Sequence, residues 1–72
     1  MAVEKFEIVV QGTLSPSIIA AVEGFSVRCV EHDKTHLIGT VPDQAGLLGI
    51  LELLRDLTVT IESVNPAADI DI

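Results

Sequence analysis

What most constrains this chain is a change of hydrophobic period, from two to about 3.6 and back, that occurs twice along it. Phe6, Ile8 and Val10 alternate with Lys5, Glu7, Val9 and Gln11, the pattern of a strand with one buried face. "TLSPSIIAAVEG" then supplies a short helix: Ser15 suits the N-cap, Pro16 the first helical position and Gly24 the stop. Alternation resumes in "FSVRCVE", with Phe25, Val27 and Cys29 on one side and Ser26, Arg28 and Val30 on the other. The cluster "HDK" reads as a turn, so "THLIGTV" should pair back as a hairpin.

The helical period returns between Val41 and Leu57, in "VPDQAGLLGILELLRDL". Leu47, Leu48, Leu51 and Leu54 share a broad face, extended by Ile50 and Leu57, and Glu52 and Asp56 mark the opposite side. "TVTIESV" is a last alternating strand, closed by Pro66. The order is β-α-β-β-α-β. Right-handed βαβ units in one sheet place both helices on the same face. The expected fold is α+β, a ferredoxin-like sandwich of a four-stranded antiparallel sheet with two helices on one side. Residues 1–66 form the single domain, and residues 67–72 an acidic C-terminal tail.

A chain of 72 residues buries too little surface to be stable without a dense core or outside help. With Cys29 as the single cysteine, an internal disulfide is excluded and no cysteine-based zinc site is expected, and its place in the alternation predicts a buried thiol. With 49% apolar residues and Phe6 and Phe25 as the only aromatics, the core must be aliphatic, and self-association is the remaining source of stability. The net charge of −7 argues against nucleic acid and anionic membrane surfaces, both of which require a basic patch. The start "MAVEKFEIVVQG" lacks a signal-peptide pattern, and no apolar run is long enough to span a bilayer. A soluble, cytoplasmic protein is expected.

Two resemblances follow from motifs. "FEIVVQGTL", "GFSV", "GTVPDQAGLLGILELLRDL" and "VTIESVNP" together resemble short uncharacterised actinobacterial proteins of a DQA…LRDL type, over nearly all of residues 5–66. That resemblance implies a cytoplasmic actinobacterial origin and carries no chemistry. "VPDQAGLLGILELLRDLTVTIESV" is similar in part to the ACT-domain signature, with Asp43, Gly46, Leu48, Ile61 and Ser63 at matching positions. Ala45 replaces that family's proline, and the unit is the second half of the chain rather than the first. The ACT resemblance implies Asp43 and Gly46 as a ligand-binding pair for an amino acid or similar small metabolite at a dimer interface.

Read from the residues alone, Asp43 is the N-cap of the long helix. A phosphate cradle needs several free amides and a nearby base, whereas here a carboxylate fills the anion position. The serines lack a nucleophile-elbow context. His32 and His36, with Glu31 and Asp33 beside them, offer imidazole and carboxylate donors for a divalent metal at the hairpin tip, against which Lys34 places a positive charge. The sheet face without helices is expected to present Lys5, Glu7, Val9, Arg28, Val30, Ile38, Thr60 and Glu62. Val9, Val30 and Ile38 form its apolar centre, and Leu53, flanked by Gly46 and Gly49, offers a second contact on the outer side of the long helix. These features favour a non-catalytic interaction module, a homodimer or a partner of a larger protein, with no cofactor. An ACT-like sensor is the alternative, and a subunit-boundary enzyme using His36 and Glu62 the third reading.

Overall fold

Residues 4–22 and 24–67 are described by the computed structural model of the protein. Its elements are β1 (Glu4–Gln11), α1 (Pro16–Ala21), β2 (Phe25–Glu31), β3 (Lys34–Val41), α2 (Gln44–Asp56) and β4 (Ile61–Pro66). The strands form one antiparallel sheet in the order β2-β3-β1-β4. Each helical connection therefore passes over one intervening strand: β3 separates β1 from β2, and β1 separates β3 from β4. The hairpin between β2 and β3 forms where the turn cluster predicts it.

The alternation in β1 sets the core. Ile8 and Val10 are fully buried, and their cross-strand neighbours Leu37 and Thr35 are buried with them. Phe25, Val41, Leu14, Val22 and Leu54 complete the cluster. Ile18 and Ile19 of α1 and Leu47, Ile50, Leu51 and Leu53 of α2 pack against that same cluster, so both helices cover one face of the sheet. Thr35 is the only buried polar residue among those described, and its hydroxyl donates to the Gly12 carbonyl at 2.6 Å. A buried hydroxyl is tolerated where its hydrogen bond is made.

Local chemistry explains both helix boundaries. The Ser15 hydroxyl accepts from the Ile18 amide at 3.4 Å, and Pro16 occupies the first turn. α1 then ends within six residues, and Gly24 takes a left-handed φ of +84° as the chain turns into β2. The Asp43 carboxylate accepts from the Gly46 amide at 2.8 Å, the cap that its sequence position predicts. At the other end of α2, the Thr58 amide donates to Arg55 and the Val59 amide to Leu54, which forms a Schellman closure. Thr58 supplies the left-handed residue, at φ +61°, where a glycine is usual and a β-branched side chain is strained.

Two bulges alter what the alternation predicts. Between Val27 and Cys29 the β2–β3 register shifts, so Val27 lies opposite Leu37 while Cys29 lies opposite His36. The extra residue reverses the facing of everything after it. Cys29 is consequently exposed rather than buried. Val30 falls opposite buried Thr35, on the helix side of the sheet, where it is 48% exposed beyond the reach of the helices. It does not belong to the apolar centre of the uncovered face. Leu53 also departs from expectation, since it is half-buried against the core. The apolar stripe of α2 is wide enough to include both Leu53 and Leu54, and the outward-facing leucine is Leu48, at 59% exposure. Beyond β4, the Ala67 amide donates to the Lys5 carbonyl at 2.8 Å and Ala67 is buried. The remainder of the acidic tail, residues 68–72, lies outside the described residues.

Candidate functional site

The face of the sheet opposite the helices carries the chain's polar chemistry. In β1 it presents Lys5, Glu7, Val9 and Gln11, and in β3 Lys34, His36, Ile38 and Thr40, since these alternate with the buried residues. The β2 bulge adds Arg28 and Cys29 to that face, followed by Glu31 opposite Lys34. A second register shift, between Val9 and Val10, sets Ser63 opposite Val9 and Ile61 opposite Val10. Glu62 is the extra residue, and its carboxylate turns to the uncovered face.

Two ionic groups result. In the first, Arg28 Nη1 lies 2.9 Å from Glu7 Oε2, and His36 Nδ1 lies 3.4 Å from the same oxygen. The other imidazole nitrogen, Nε2, faces Glu31 Oε1 at 3.8 Å. In the second, Lys34 Nζ lies 2.9 Å from Glu62 Oε1, and the Gln11 amide donates to Glu62 Oε2 at 2.7 Å. The bond from Lys34, aided by that from Gln11, holds the Glu62 carboxyl below its ordinary value. Val9 lies between Glu7 and Gln11 on β1, and Ile38 follows His36 on β3; both are half-buried.

The charge distribution is uneven. Lys5, Arg28 and Lys34 on this face are matched in number by Glu7, Glu31 and Glu62. Arg55 is the only other base in the sequence, so the net −7 is carried entirely by residues outside these six.

The donor atoms of Cys29, Glu31 and His36 all lie within 4.8 Å of one another. His32, paired with His36 in the sequence-based expectation, is not among them. It occupies the two-residue turn with Asp33, at φ 53° and 60°, values that fit a type I′ hairpin turn. That turn carries His32 past the end of the ladder, while His36 stays within it, opposite Cys29. Cys29 escapes a sequence reading because no Gly or Pro marks the bulge that exposes it.

The other expected pairs fare differently. Asp43 and Gly46 do meet, but through the helix cap itself. A Cβ at Gly46 would lie 3.4 Å from Pro42 Cδ and 3.5 Å from Asp43 Oδ1, ordinary contact distances to the chain's own atoms. His36 faces Glu7 and Glu31, whereas Glu62 is engaged by Lys34 and Gln11. A cleft of about 570 Å³ opens at the hairpin end, between Thr13, Asp33, Thr58 and Glu62. Among the described residues no buried side-chain polar atom lacks a partner. No helix among these residues is long and apolar enough to cross a membrane.

The family model described as "Domain of unknown function (DUF8691)" matches residues 5–65, and the chain belongs to that family. Neither a curated protein nor a solved structure matches it.

Proposed function

We propose that this DUF8691 domain is a small non-catalytic interaction module of ferredoxin-like arrangement, which self-associates through its uncovered sheet face. The arrangement is supported by the strand order, which read from the opposite edge is β4-β1-β3-β2, with each helix crossing over one strand. The interaction reading rests on one observation: among the described residues the uncovered face is charge-balanced, in a chain of net charge −7. The excess negative charge is carried by other residues, so two copies that approach elsewhere meet, on average, like charge. Approaching by this one, they meet as neutral faces with Val9 and Ile38 at the centre. The flanking ion pairs are already made within each copy, so docking buries few uncompensated charges.

Light scattering across a concentration series tests this. The wild-type chain is expected to be a dimer at micromolar concentration, and Val9→Lys to shift it toward monomer without altering its circular dichroism. A wild-type chain that stays monomeric at high concentration overturns the reading.

A further inference from the structure

We propose that Cys29, Glu31 and His36 form a three-donor site for a Zn²⁺ ion on the β2–β3 hairpin. The inference stands apart from self-association, because all three donors come from one chain. Cys29 and His36 are direct cross-strand partners, and Glu31 follows two residues later on the same face. The sheet thus fixes the backbone spacing of all three. Their donor atoms, within 4.8 Å of one another, need to close by only about 1 Å to match a tetrahedral shell with bonds of about 2.0–2.3 Å. The side chains of Cys29 and Glu31 are exposed and free to make that adjustment.

The chemistry of the donors selects the ion. Thiolate with imidazole and one carboxylate suits Zn²⁺ and disfavours Mg²⁺ and Ca²⁺, which take oxygen shells. His36 is also oriented for the task. Its Nδ1 faces Glu7 Oε2 at 3.4 Å, which leaves Nε2 directed toward Glu31 and available to the metal. A carboxylate behind a ligating histidine fixes its tautomer and raises its basicity, and here Arg28 holds that carboxylate at 2.9 Å. The local charges balance: one thiolate and the Glu31 carboxylate neutralise a divalent ion, while Glu7 is offset by Arg28. On binding, the Cys29 S–H proton passes to solvent as the metal–sulfur bond forms. Three protein donors would leave a fourth position for water or an incoming group.

The test is titration of the whole chain with Co²⁺, under a non-chelating reductant, as a spectroscopic stand-in for Zn²⁺. A thiolate-to-cobalt charge-transfer band should appear, and Zn²⁺ should bleach it. Cys29→Ser should abolish the band, His36→Gln should weaken cobalt binding at least tenfold, and Glu7→Gln should weaken it about tenfold. His32→Gln should leave it unchanged, which separates this site from one at the hairpin tip. Independently of any variant, Zn²⁺ should slow alkylation of Cys29 by iodoacetamide in the wild-type chain. The proposal is overturned if wild type develops no thiolate band and gains no protection from Zn²⁺. It is equally overturned if the band survives His36→Gln but is lost in His32→Gln.

Discussion

The two faces of the sheet are built from neighbouring residues of the same strands, yet they follow opposite rules. On the helix side, Ile8, Val10 and Leu37 are fully buried, and the one polar residue buried with them, Thr35, has its hydrogen bond made. On the other side, three bases and three acids surround Val9 and Ile38, and exposed side chains interact mainly through charge. The covered face does its work through packing, which is short-ranged and intolerant of any change in volume. The uncovered face works through charge, which water and salt attenuate. Stability and chemistry are thereby separated by one peptide unit: a substitution at Ile8 threatens the fold, and one at Glu7 or Val9 threatens only what the surface does.

Several substitutions can break or sharpen that contrast. The largest effect is expected from Leu54→Ala, at the one α2 residue that is fully buried. The cavity should cost about 2–5 kcal/mol, enough to unfold most of a domain whose total stability is near the low end of about 5–15 kcal/mol. Urea denaturation monitored by circular dichroism measures this; a loss of a few tenths would mean that α2 does not close the core.

Gly39→Ala comes next and probes crowding on the same face. A Cβ there would collide with the Gly24 carbonyl oxygen and lie 2.6 Å from Cγ of Phe25, the ring that covers this stretch of β3. Overpacking of about 1–3 kcal/mol is expected, seen as a lower urea midpoint. Gly49→Ala, with open space around it, is the control that should not destabilise the chain.

Asp43→Ala should lose about 0.5–2 kcal/mol and Asp43→Asn much less, because the cap needs an oxygen and not a charge. Equal losses in the two variants would mean that the charge against the helix dipole, and not the cap oxygen, carries the effect, whereas unchanged stability of Asp43→Asn with a lost response to a ligand would point back to a binding site.

The smallest effect belongs to the uncovered face. The Glu62 carboxyl is held below its ordinary value by Lys34 and Gln11, so the ionised form is favoured in the folded chain. Its contribution to stability is present above the ordinary carboxylate value and disappears as pH falls through the lowered one. Because the group is exposed, the effect should be slight, reduced by salt, and removed by Glu62→Gln. Thermal melts across acidic pH at low and high salt read it; a large, salt-resistant dependence would show that this pair is not the surface interaction it resembles.

Much of the fold was legible in the chain because local rules act over a few residues. The β1 alternation, the Ser15 and Asp43 caps and the "HDK" turn each follow from short-range chemistry, and the structure places all of them where that chemistry requires. The candidate metal donors were only half legible. Nearness to a turn points to His36 and Glu31, but the donor that the fold sets beside them is Cys29, while His32 lies in the turn itself.

What the sequence determined by itself was the order of periods and breaks, and hence six elements and the faces of those strands that run without interruption. What only the tertiary structure decided was where the alternation slips. A bulge is a property of a pair of strands: the residue left unpaired depends on which register buries the most apolar surface across the whole sheet. The two-residue turn pairs Glu31 with Lys34 and so sets Cys29 outward beside His36 and Val30 opposite Thr35; from that register Val27 and Phe25 reach the helix side only if Arg28 is passed over. The same holds for Glu62, which joins Lys34 because Ser63 and Ile61 claim the places opposite β1. Periodicity fixes a strand's faces only relative to itself, and the partner strand decides which residue is the one too many.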